Sequence, residues 1–152
     1  MRRAPITLLI LATLFIAIIA FAETPIAYVV TKEKAPAYEI GKGSGLATLF
    51  LNSSTGASDL AMSTLDLKPG AAVPPHRHLE SSEAIYLLEG VIEMTIAGKM
   101  YRASAGDAVY IPKGVEHSAA VPKGGQSVKA LQVYIGPGPE QRFTKGRLVN
   151  AE

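Results

Sequence analysis

The chain has three histidines, His76, His78 and His117, and all of them fall within two glycine-bounded blocks. The first block reads Gly70-AAVPP-His76-Arg77-His78-LESS-Glu83-AIYLLE-Gly90. The second reads Gly106-DAVYI-Pro112-Lys113-Gly114-VE-His117. Three imidazoles and one carboxylate make a sufficient donor set for one divalent transition metal: Fe, Mn, Zn, Ni or Cu. A single histidine would be read as a hydrogen-bonded structural residue. Three in ligand phase favour the metal. Glu83 passes the same test, because it stands in step with Ile85 and Leu87 on an apolar face. A carboxylate there costs several kcal/mol unless it is partnered. Cysteine is absent, so thiolate ligation and thiolate chemistry are excluded.

These residues need strands to hold them. Residues two apart on a strand share a face, so His76 and His78 aim one way and Arg77 the other. Glu83 heads the apolar run that ends at Gly90. Gly106-Asp107 and Pro112-Lys113-Gly114 are turn signals around a short strand, and His117 opens the next one. The spacing predicts that one hairpin carries His76, His78 and Glu83, and that a second hairpin brings His117 across a barrel or sandwich.

The two blocks resemble the two motifs of the cupin superfamily, the RmlC-like jelly rolls. Its first motif is G-x5-H-x-H-x3,4-E-x6-G, and Gly70 to Gly90 fits every fixed position with the four-residue spacer. Its second is G-x5-P-x-G-x2-H-x3-N, and Gly106 to His117 fits. Val121 departs from it, standing where many members carry asparagine. That position is not a ligand in the family, so the ligand set is unaffected. The resemblance implies an all-β, antiparallel double-stranded β-helix (a jelly-roll barrel) in one domain, with a motif core over 70–121. It implies His76, His78, Glu83 and His117 as metal ligands. It does not name a reaction, because one fold hosts many activities.

The pattern on either side is that of short strands broken by Gly, Pro, Ser and Asn, with no convincing helix. Strands are expected at Ile26–Val30, Ala37–Ile40, Leu46–Leu51, Leu60–Leu67, Val73–His78, Ala84–Leu88, Val91–Ile96, Lys99–Ala103, Ala108–Ile111, His117–Val121 and Val128–Ile135. By strand parity Met62, Ile85, Leu87, Ile92 and Val109 point inward. The tail from Gly136 is expected to cover a barrel edge or a partner subunit. Glu80, Glu89, Glu93 and Glu116 read as solvated or rim residues.

Residues 1–22 read as a signal peptide: Arg2-Arg3, an apolar run over 6–21, then Ala20-Phe21-Ala22. A spanning helix wants about 20 apolar residues, and no positive cluster follows this run. The expected product is one domain over 23–152, periplasmic or secreted. Of 15 Lys and Arg, Arg2 and Arg3 leave with the leader, so 13 face 13 Asp and Glu. A neutral chain without a basic run offers nothing to nucleic acid and has no stable membrane association after cleavage.

Two functional classes fit. One is a metal-dependent enzyme (dioxygenase-, lyase- or isomerase-like) acting on a small oxygenated molecule, through a metal whose shell four protein ligands leave open. The other is a non-catalytic periplasmic protein that binds a metal or small ligand. No residue singles itself out as a catalytic base.

Barrel edges invite pairing, and the family often dimerises, so a homodimer is expected. Native mass spectrometry of protein from the periplasmic fraction should give a chain beginning at Glu23, in pairs. Full-length protein confined to the membrane would reject the leader, and a monomer mass would reject the dimer.

Overall fold

The computed structural model describes residues 25–149, so the leader expected over 1–22 lies outside the described residues. Ten strands are seen among the described residues: β1 (Ala37–Ile40), β2 (Gly45–Leu51), β3 (Leu60–Leu67), β4 (Ala72–His76), β5 (Ser82–Glu89), β6 (Val91–Ile96), β7 (Lys99–Ser104), β8 (Ala108–Ile111), β9 (His117–Ala120) and β10 (Val128–Ile135). They form a six-stranded sheet in the order β1-β2-β3-β10-β5-β8 and a four-stranded sheet in the order β4-β9-β6-β7. All pairs are antiparallel. The interleaved strand order is that of the expected jelly roll, in which neighbours in sequence often lie in opposite sheets.

Alternation along the strands builds the core. On β3, Ala61, Ser63, Leu65 and Leu67 are buried while their neighbours are only half-buried. On β10 the buried set is Val128, Ala130, Gln132 and Tyr134. Leu87 and Ile85 on β5 meet Ile92 and Met94 of the smaller sheet in one cluster with them. Apolar area removed from water, at about 25 cal/mol per Å², is what holds the two sheets together.

Three expectations need correction. Met62 does not point inward, because β3 turns its other parity to the core. The inward slot goes to Ser63, whose hydroxyl is hydrogen-bonded to Gln132 on the neighbouring strand. Val109 is half-buried at the edge of the core rather than a liner of it. Ile26–Val30 is no strand; it is mostly exposed, and its Ala27 N–H donates to Thr55. The edge beside β1 is taken by the tail. Glu39 N–H donates to Arg147, and Val149 N–H donates to Ala37.

The tail thus covers an edge, as expected, and it also does more. A 3-10 segment, Pro139–Lys145, brings buried Phe143 and Glu140 against the barrel. Gly146 then passes so close to β1 that a Cβ there would run into the Glu39 carbonyl. Only glycine lets the chain through, and that close passage fixes the segment in place.

Candidate metal centre

His76 ends β4, the edge strand of the smaller sheet, where Pro74 and Pro75 are tolerated because no inner neighbour needs their missing N–H. The register slips between Val73 and His76, and His76 then pairs with His117 on β9. The two rings lie 4.2 Å apart, centre to centre. These histidines are therefore neighbours in one sheet, not partners across the barrel. The residue that crosses is Glu83, from β5 in the larger sheet. His78 sits beyond the end of β4. Its carbonyl accepts from Gly114 N–H at 2.8 Å, so the turn of the second block pins the last ligand of the first.

The donor atoms of His76, His78, Glu83 and His117 all lie within 4.8 Å of one another. Glu83 and His117 are buried, and His76 and His78 half-buried. His76 Nδ1 and His117 Nδ1 each sit 2.9 Å from the carbonyl two residues earlier, Pro74 and Val115. A carbonyl only accepts, so each Nδ1 carries the proton and each Nε2 presents a lone pair. His76 Nε2 and His78 Nε2 are buried and have no hydrogen-bond partner among the described residues. His78 Nε2 is 3.3 Å from Glu83 Oε2, without hydrogen-bond geometry. His117 Nε2 is 3.1 Å from the same oxygen. Inward lone pairs around a carboxylate, two of them orphaned, are the chemistry a divalent cation satisfies. The residues fit the metal.

Electrostatics agree. Burial would push the Glu83 carboxyl up, but the adjacent His117 and His78 rings and the Gln132 amide outweigh it and hold the value at about 2. Glu83 is therefore a carboxylate at any ordinary pH. For His117, burial opposes the charged ring, yet the Glu83 hydrogen bond and the Val115 carbonyl raise its pKa. Burial lowers that of His76 despite the Pro74 carbonyl, with the charges of His117 and Arg142 adding to the effect.

Three residues escaped the sequence reading. Gln132, on β10, donates from Nε2 to Glu83 Oε1 and accepts from Ser63, fixing the second carboxylate oxygen. Tyr134, fully buried on the same strand, packs its ring edge-on to His78 at 5.1 Å. Burial raises its phenol far above the usual range, so it keeps its proton. Arg142, from the tail, lies over the Tyr134 and Phe143 rings. The only signal for Gln132 and Tyr134 was the alternation of β10; for Arg142 there was none. The discounted residues behave as expected. Glu116 pairs with Arg77 on the surface, Glu93 with Arg102, and Val121 is buried in the core.

Beside the cluster opens a cavity of about 500 Å³. His76, Glu83 and His117 line it together with Leu65, Ile85 and Met94, and Arg142 and Phe143 of the tail also bound it.

A family model described as "Cupin domain" matches residues 63–134. That match covers 72 of the chain's 152 residues. It is 34% identical over 82 residues to germin-like protein 1-1 of Oryza sativa subsp. japonica, covering 49% of this chain and 38% of that protein. It is 33% identical over 95 residues to quercetin 2,3-dioxygenase of Bacillus subtilis (strain 168), covering 57% of this chain and 28% of that one. The chain thus spans well under two thirds of the curated relatives it matches. Among solved structures, an RmlC-like cupin from Shewanella frigidimarina NCIMB 400 superposes with a TM-score of 0.64 at 21% identity, over 78% of this chain and 98% of that one. That likeness bears on the fold.

His78→Ala should lower the metal content of the protein at least about tenfold while unfolding stays cooperative, because the apolar sheets carry the fold. Gln132→Leu should weaken metal affinity by about 10–100-fold through Glu83 alone. Elemental analysis after dialysis against a weak chelator checks both. Wild-type metal content in His78→Ala would sink the ligand assignment.

Proposed function

We propose that this is an exported, homodimeric, metal-dependent cupin enzyme acting on a small oxygenated molecule, with His76, His78, Glu83 and His117 holding one divalent transition metal. The observation that carries the reading is that three of the four donors, His76, Glu83 and His117, line a largely apolar cavity big enough for a small organic molecule. A storage site has no need of such a chamber. The charged start, apolar run and small residues of 1–22 support export. Pairing is supported by the outer face of the larger sheet, where Tyr86, Leu88, Tyr110 and Ile135 are exposed together.

When bound, the metal supplies Lewis-acid or redox chemistry to a substrate oxygen. The chain's own residues do the rest. Leu65, Ile85, Ile92 and Met94 exclude water and hold the apolar part of the substrate against the donors. Gln132 holds Glu83 in one rotamer, so the carboxylate does not swing away when substrate arrives. The carbonyls of Pro74 and Val115 keep His76 and His117 in the tautomer that presents Nε2. Tyr134 stays a neutral phenol and does not compete for the metal. The name of the Bacillus subtilis relative makes oxidative chemistry the first class to test.

Fe- or Cu-loaded mature protein should consume dioxygen with a member of a panel of phenols, diketones and small acids, and His78→Ala should not. Full metal occupancy with no turnover across the panel, by oxygen uptake or product mass, would hand the function to the non-catalytic binding protein.

A further inference from the structure

The cavity holds one charge that the metal centre does not explain. Arg142 is half-buried, lines the cavity and belongs to the tail rather than to the barrel. Its guanidinium carbon stands 4.8 Å from the centre of the Phe143 ring and 5.8 Å from that of Tyr134. Rings so placed hold the cation in one attitude without neutralising it. Every carboxylate close to it is committed elsewhere. Glu83 takes the Gln132 amide on one oxygen and faces the His117 and His78 rings of the metal centre with the other. Glu39 is paired with Arg147. Glu140, almost fully buried, accepts from Gly138 N–H with one oxygen and from Gln141 Nε2 with the other. Among the described residues Arg142 therefore has no ion-pair partner, although it is partly withdrawn from water.

A guanidinium in that setting is a receptor for an anion. Its planar fork matches a carboxylate with two parallel N–H donors, and a site shielded from water makes each of them stronger. Lys42 and Lys145, both exposed, line the same cavity and add positive field along the approach. The other walls are mostly Leu, Ile, Val, Met, Ala and Phe side chains; the two carboxylates that also line the cavity are Glu39, paired with Arg147, and Glu83 of the metal centre. The tail is also held rigidly enough to position Arg142. Phe143 is buried on one side of it, and on the other Gly146 is threaded against β1.

We propose that Arg142 is the substrate-anchoring residue of this cavity, and that the molecule bound there is a small carboxylate with a compact apolar body. The carboxylate forks onto Arg142, the apolar body fills the space between Leu65, Ile85 and Met94, and the far end faces His76, Glu83 and His117. This names the substrate class and rests on the reading of the cavity as the place where a small molecule binds. Arg142 touches the substrate without joining the metal's donors, so its loss separates ligand choice from metal content.

The test uses benzoate and hexanoate as probes, with benzamide and hexanamide as neutral counterparts. Calorimetric titration of the metal-loaded mature protein should give at least about tenfold tighter binding of each acid than of its amide, equivalent to about 1.4 kcal/mol. Arg142→Gln should erase that preference while elemental analysis finds wild-type metal content. In metal-stripped wild type the preference should persist, which distinguishes an arginine anchor from a carboxylate that merely ligates the metal. Independently of any variant, the Arg142 Nε–Hε resonance of labelled wild type should shift on adding benzoate and not on adding benzamide. An acid preference that survives Arg142→Gln would overturn the proposal. So would one that disappears on metal removal, an unmoved Arg142 resonance, or no binding of either acid. Loss of metal in His78→Ala bears only on the metal centre.

Discussion

Glu83 is a carboxylate only 3% exposed in the wall of an apolar barrel, and the site is organised around compensating it. An ionised carboxyl in such surroundings is tolerable only if each oxygen is met by a donor or a cation. One oxygen takes Gln132, which is itself steadied by Ser63. The other faces His117 and His78. That side is half-solved without a metal: the neutral His117 ring keeps its proton on the far nitrogen, so its lone pair points at those of the carboxylate. The inward-facing arrangement makes sense around a cation. Two extended runs of backbone, one in each sheet, are fixed to this single point.

The same constraint explains the local sequence. Pro74-Pro75 on an edge strand breaks the register just before His76 and frees the Pro74 carbonyl to take the His76 ring proton. Val115 does the same for His117. Gly114, at φ +75°, takes a backbone conformation that favours glycine, and its N–H secures His78 beyond the end of its strand. Pro74, Pro75 and Gly114 thus aim side chains, whereas Gly90 and Gly106 sit between strands. Beyond this point the molecule is an ordinary two-sheet core, which is why loss of a ligand is expected to spare the fold.

What could be read from the sequence divides along the same line. The four donors were legible because they are coded locally: short spacings, fixed by turn residues, in a chain with no other histidine. The jelly roll was legible from the strand rhythm, and Leu60–Leu67, Val91–Ile96, Ala108–Ile111 and Val128–Ile135 begin and end where expected. Met62 was misread because β3 carries apolar residues on both parities, and a hydrogen-bond partner 69 residues away decided that Ser63 turns inward. Ile26–Val30 has strand composition, but composition does not say whether a sheet edge will accept the segment, and it runs on the surface instead. Gln132 and Arg142 lie far from the motifs, and their roles depend on register and on where the tail lands. Neither is written in any spacing.

Metal-edge X-ray absorption of mature protein reconstituted with a single transition metal probes the proposed centre most directly. The spectrum should contain the multiple scattering of three imidazoles and a short carboxylate oxygen, and His117→Ala should lose one imidazole or the metal itself. A spectrum without imidazole scattering, or one that His117→Ala leaves unchanged, would contradict the assignment of the metal to these four residues.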